Sequence, residues 1–219
     1  MSDIPRSLTF PLREFARMQD IEYSYWSHRL AADYLEHRRL WRAVPPLLCL
    51  ALAAIGEGEA SDFFFILVFP AWWAGAVLAE LSLDYRLRRR WILVPSGRRS
   101  IFSYQAPWTY ALTLAAALFA IPEFPSPTLA VAGIWAFGVW FVANRRQIGG
   151  EDRAMAEVDE AMRARSIHAL TGGAFLMFAM IAASDVEFGL SLVVVVPVAL
   201  WIGTRPWKVV IADEARQEA

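Results

Sequence analysis

All 21 basic residues of this 219-residue chain lie in four segments that alternate with six apolar stretches, and this sorting constrains the fold more than any other feature. The stretches run approximately over residues 41–55, 63–81, 104–122, 128–143, 167–183 and 188–203. The connections 56–62, 123–127 and 184–187 contain no Lys or Arg and carry six acids. Seven Arg precede residue 44, six lie in 82–106, five in 144–166, and two Arg and one Lys in the C-terminal tail. A water-soluble protein has no physical reason to place its cations in every second connection, whereas a membrane protein keeps them on the cytoplasmic side. The expected fold is therefore an all-α integral membrane protein of six transmembrane helices, with both termini in the cytoplasm of a bacterium and the bundle in its inner membrane.

Each stretch approaches the ~20 helical residues that a hydrocarbon core requires. The first, fourth and sixth hold only 15 or 16 residues. At ~1.5 Å per residue they reach about 24 Å, so flanking residues or local thinning must complete them. Pro45, Pro46 and Pro107 are expected in the first turns of their helices, where a missing N–H costs little.

Composition agrees, with 57% hydrophobic residues against roughly 45–50% in ordinary globular chains. A net charge of −1 gives no field to attract nucleic acid. The single cysteine, Cys49, excludes an intramolecular disulfide and a paired-cysteine metal site. Arg6, Arg13, Arg17 and Arg29 without an apolar run argue against a cleavable signal peptide.

The six spans read as three antiparallel hairpins. Trp73, Trp140 and Trp201 hold corresponding places in the return helices, 67 and then 61 residues apart, and Ala53, Ala120 and Ala182 repeat those offsets closely in the entering helices. Pro70, Gly138 and Pro197 stand near the three tryptophans. A triplicated two-helix unit explains the pattern. So does the recurrence of interfacial tryptophan in membrane proteins generally.

Three regions follow from this reading. Residues 1–41 form a cytoplasmic segment, 42–204 the membrane domain with cytoplasmic connections 82–106 and 144–166, and 205–219 a cytoplasmic tail. Residues 11–41 lack glycine and internal proline, and Tyr23, Trp26, Leu30, Tyr34 and Trp41 form a stripe at helical spacing, with Arg29, Glu36 and Arg38 off it. This predicts an amphipathic helix lying on the membrane or packed beneath the bundle. The charge-rich run 151–165 also has a helical pattern, and Pro95, Ser96 and Gly97 mark a turn.

Ionisable residues within spans usually flag ion sites or catalysis. Glu80 and Asp84 share a helix face at i, i+4. Either they form such a site, or they reach the interface and pair with Arg86 or Arg88, as the four arginines within the next ten residues favour. His168 reads as an interfacial histidine bonded to backbone or headgroup, and His28 and His37 are not spaced for one helix face. No catalytic, cofactor or metal motif is recognised. Trp72 and Trp73, beside Pro70 near mid-span, either line a small-molecule cavity or pack ordinarily. The candidate ligand-binding residues are thus Trp72, Trp73 and Glu80.

A helical lead over residues 11–41, six spans, and a short cytoplasmic element over 86–99 resemble in layout the membrane half of some exporter-type ABC permeases. That resemblance implies contact with an ATPase through the element between spans two and three, although the longer outer segment many such permeases carry between spans five and six is missing. Six short spans are also similar to the substrate-binding subunits of energy-coupling-factor transporters, which usually lack a forty-residue lead. The expected function is a non-catalytic, permease-like membrane subunit of a transport system. Its candidate partner contacts are Arg86, Arg88, Arg89, Arg90, Arg98 and Arg99, toward an ATPase, another membrane subunit or a second copy. The alternative is a membrane scaffold or assembly subunit that moves nothing.

Overall fold

The chain is described by a computed structural model over residues 25–56, 58, 67–90, 93–94, 100–148, 153–182 and 188–204. The fold is all-α. Its helices are α1 (Tyr25–Ile55), α2 (Val68–Arg90), α3 (Pro107–Ala120), α4 (Pro125–Asn144), α5 (Arg153–Ala182) and α6 (Phe188–Thr204). A two-residue antiparallel pairing joins β1 (Leu93–Val94) to β2 (Gln147–Ile148), with Leu93 opposite Ile148.

Proline sets two of the helix starts. Pro107 and Pro125 sit in the first turns of α3 and α4, where the ring's fixed φ suits a helix entry. Pro45 and Pro46 do not start a helix. The chain is helical from Tyr25 through both of them, so the amphipathic segment and the first apolar stretch form one helix of 31 residues. A proline inside a helix removes the bond to the carbonyl four residues back. For Pro45 that carbonyl belongs to Trp41, and there α2 passes in close contact. Gly75 lies so near that a Cβ on it would run into the Trp41 oxygen and come within 3.2 Å of the Pro45 ring. A glycine opposite a freed carbonyl lets two backbones touch, the small-residue contact that membrane helices favour. Pro70, expected near mid-span, lies instead in the first turn of α2.

The charge-rich run and the fifth apolar stretch are likewise continuous, as the 30-residue α5. This helix is the axis of the molecule. α1 packs most extensively on α2, and α6 on α5, but α3 and α4 touch each other only lightly and lie along α5. The outer hairpins are therefore close pairs and the middle one is splayed. The three tryptophans at repeat positions also differ. Trp73 is buried and donates from Nε1 to the Leu170 carbonyl at 3.2 Å, whereas Trp140 and Trp201 are exposed.

Among the described residues three apolar clusters result, the smallest joining Phe175 and Leu176 of α5 to Ala199 and Ile202 of α6. Under the bundle, Leu30 and Tyr34 of α1 meet Leu83 and Leu87 of α2 and Val158 and Met162 of α5. Within it, Trp73, Val139, Val142, Ile167, Leu170 and Phe178 form the largest cluster. The outer surface is apolar as well, with Leu47, Leu118, Leu129 and Phe137 exposed and Phe119 76% exposed. Among the described residues, two helices are long and apolar enough to cross a membrane, α4 and the part of α5 from Met155 to Ala182, while α3 is apolar but shorter.

Candidate functional site

Six charged side chains are buried together at the end of the bundle where α1, α2, α4 and α5 meet. Arg38 of α1 and Arg145, just beyond α4, approach the two carboxylate oxygens of Glu80 at 3.5 and 3.6 Å. Arg145 also reaches Asp159 Oδ1 at 3.1 Å. Asp159 Oδ2 accepts from Arg163 Nη2 at 2.9 Å, one turn along α5. On the rim, Asp84 accepts from Arg88 Nε at 2.7 Å. Charges withdrawn from water are costly unless paired; Asp159 and Arg163 are paired and hydrogen-bonded, whereas the Glu80 oxygens are ion-paired without a hydrogen bond. Arg38, Arg145 and Arg163 each join elements distant in sequence, so the cluster ties the bundle together.

Arg163 does more than pair. It donates to the carbonyls of Arg145 at 2.7 Å and Arg146 at 2.8 Å, and more distantly to Val142 and Ala143. A helix leaves its last carbonyls without internal partners and concentrates negative charge there. A buried guanidinium at the end of α4 answers both. Burial opposes the charge of Arg145, but Asp159 and Glu80 outweigh it and hold its pKa above the ordinary value.

A polar relay runs beside the cluster. Arg38 donates to the Tyr34 hydroxyl, which meets Ser166 Oγ at 2.7 Å, and Ser166 donates to the Met162 carbonyl at 2.8 Å. Burial pushes the Tyr34 phenol up, with Arg38 pulling the other way. On the outer side of α1, Arg86 donates to His37 Nδ1 at 3.4 Å, which leaves Nε2–H to donate to Ser82 Oγ at 2.8 Å. Burial, and then the Arg86 charge, lower the His37 pKa.

An apolar cavity of about 470 Å³ adjoins the cluster, within the ~300–1,000 Å³ typical of ligand sites. Pro46, Phe69 and Trp72 line one wall, and Leu176, Val196 and Leu200 another. Arg42 reaches into it, its guanidinium carbon 5.2 Å from the Trp72 ring centre. Its Nε and one terminal nitrogen are shut off from solvent and have no hydrogen-bond partner. A second, much smaller cavity is bordered by Gln105, Thr109 and His168. His168 donates from Nε2 to the Tyr104 carbonyl at 2.8 Å, while both amide atoms of the buried Gln105 lack partners.

The residues singled out from sequence divide as follows. Trp72 lines the large cavity, Trp73 is a buried packing residue wedged against Gly173, and Glu80 belongs to the charge cluster. Asp84 pairs with Arg88, whereas Glu80 pairs with neither Arg86 nor Arg88 but with cations from other helices. Arg86 and Arg90 bind Asp33, and Arg89 lies over the Tyr85 ring. Arg98 and Arg99 lie outside the described residues, as do Tyr23 and residues 11–24 of the helical lead. Sequence reasoning missed Arg42, Arg145, Asp159 and Arg163. The i, i+4 spacing of Asp159 and Arg163 is visible in the sequence, but it reads equally as a solvated pair. Among the described residues, no three His, Cys, Asp or Glu side chains converge as metal ligands would.

Comparison with protein-family models, curated proteins and solved structures finds no match for the chain.

Proposed function

We propose that the chain is a six-span protein of the bacterial inner membrane, both ends cytoplasmic, serving as a non-catalytic membrane subunit of a transport system. One observation carries the membrane reading: large apolar side chains face outward along α1, α3, α4 and α6 while six charged ones are turned inward at one end. In water that arrangement would expose far more contiguous apolar surface than a monomer keeps; in lipid it is the expected one. The cytoplasmic orientation rests on the cation sorting in the sequence. The subunit reading is supported by the way α1, α2 and α5 are cross-tied into a firm platform at that end, a surface suited to hold a partner.

Two experiments test it. In a Cys49→Ala background, an impermeant maleimide should label Ser61→Cys from outside intact cells, and Ser96→Cys only after lysis; the reverse pattern would overturn the topology. A mild-detergent pull-down of the tagged chain from its own host, read by mass spectrometry, should yield a stoichiometric ATPase or second membrane subunit. Recovery of the chain alone would sink the subunit reading.

A second reading, a membrane scaffold or assembly subunit, is favoured by the ties of Arg86, Arg88 and Arg90 to acids of their own chain. It predicts a stoichiometric partner with no transport component, and wild-type function when Trp72 is replaced.

A further inference from the structure

We propose that the cavity beside Trp72 holds one anionic phospholipid of the surrounding bilayer, with an acyl chain in the groove and the phosphate on Arg42. The inference rests on the membrane reading above.

The chemistry of the walls leads to this class of ligand. The cavity lies between the α1–α2 pair and the α5–α6 pair, and its surface is apolar almost throughout. On α5 the lining runs from Ala169 to Leu176, and on α6 from Gly203 back to Val196. That is eight residues, or seven helical steps, on each helix, roughly 10 Å along the bundle axis. Such a slot suits a hydrocarbon chain and offers a polar solute little to bind.

Arg42 then selects the headgroup. It is the cation of the cavity wall, at the start of the first apolar stretch, the level where cytoplasmic headgroups lie in the six-span reading. Among the described residues it makes no ion pair, and two of its guanidinium nitrogens are enclosed without a hydrogen-bond partner. The nearby carboxylate of Glu80 is already held by Arg38 and Arg145. Two enclosed guanidinium nitrogens without an acceptor are costly, and a phosphate oxygen supplies both a charge in direct contact and the acceptors through the paired geometry that guanidinium favours. Trp72, stacked on Phe69 and lying under the guanidinium, gives the chain a flat wall just beyond the charge.

The test uses the full chain extracted from membranes, stripped of lipid, and titrated with dioleoyl phosphatidylglycerol, dioleoyl phosphatidylcholine or oleate under native mass spectrometry. The wild type should retain one phosphatidylglycerol in preference to phosphatidylcholine. Arg42→Gln should weaken phosphatidylglycerol on the order of tenfold, the loss of one charge-assisted contact, and remove the preference. Arg42→Lys should keep much of it, and this variant carries the test if the glutamine variant does not fold. Val196→Trp, which fills the groove and leaves Arg42 in place, should reduce binding of both phospholipids. Equal retention of the two phospholipids by the wild type overturns the site alone, as does an unchanged Arg42→Gln variant or a preference for oleate. Recovery of the wild-type chain from the soluble fraction overturns the membrane reading and the site together.

Discussion

Arg163 Nη2 lies 2.9 Å from Asp159 Oδ2, one turn away on α5, and neither side chain is open to solvent. The same guanidinium closes the end of α4 by donating to the Arg145 and Arg146 carbonyls. Removing one member of a buried pair leaves an uncompensated charge, typically at a cost of about 3–5 kcal/mol. Arg163→Ala should therefore lower the thermal midpoint in detergent sharply. In a double-mutant cycle with Asp159→Ala, the two losses should fall well short of adding. Strict additivity would show that the pair is not coupled.

Glu80 stands between Arg38 and Arg145. Glu80→Gln keeps the shape and discards the charge, leaving two buried cations facing each other. It should destabilise by about 3 kcal/mol or more, seen as a lower unfolding temperature and faster proteolysis. A stable Glu80→Gln protein that has lost its biological activity would instead make Glu80 a working group.

Gln105 is 1% exposed and neither amide atom has a partner. An unpaired buried amide costs about 1–3 kcal/mol. Gln105→Met, similar in length and apolar, should raise the unfolding temperature. A lowered one would mean that the amide is bridged through solvent in the small cavity beside His168.

His37 accepts from Arg86 at Nδ1, so protonation sets two cations against each other. Its folded pKa is lowered from 6.5 by burial and by Arg86. The neutral form is thus the one the fold prefers: its contribution is present above pH 6.5 and is lost as pH falls through the folded value. Unfolding temperature should decline modestly on acidification below pH 6.5, and less steeply in His37→Gln. Parallel pH profiles would remove His37 as the cause.

Gly75 meets the Trp41 carbonyl, and a Cβ on Gly172 would stand 2.6 Å from the Ala199 carbonyl. Backbone cannot give way as a side chain can, so Gly75→Ala and Gly172→Ala should each cost about 1–3 kcal/mol through forced helix separation. Gly133→Ala, where nothing lies within 4 Å, is the matched control and should be near neutral.

The six helices among the described residues were legible in the sequence because the signal for each is local: an apolar run, a proline at entry, a charged connection. Even so, α1 and α5 run longer than their apolar cores. Polar stretches preceding residues 41 and 166 can run on into the apolar helix once tertiary contacts bury them, and no local rule announces that continuity. The charge cluster was illegible for a related reason. Arg38 looks like the solvated face of an amphipathic helix, Arg145 like a connection residue, and Asp159 and Arg163 like a solvated pair on a charge-rich cytoplasmic helix. Their meaning depends on pairings across the fold, Arg38 with Glu80 and Arg145 with Asp159, which single-chain periodicity does not encode. Trp72 and Trp73 were singled out together, yet adjacent residues on a helix face different ways. One borders the cavity and the other fills the core.

The placement of α5 at the axis has a consequence for biosynthesis. The ribosome delivers α1 through α4 before the helix on which α3 and α4 both lie, and which supplies Asp159 and Arg163. Until it arrives, the nascent bundle carries Arg38, Glu80 and Arg145 without their full set of counter-charges, and α4 ends in open carbonyls. A chain arrested at residue 150 should therefore be degraded faster than the completed chain in a pulse-chase experiment. Completion of the charge cluster waits on the emergence of one helix.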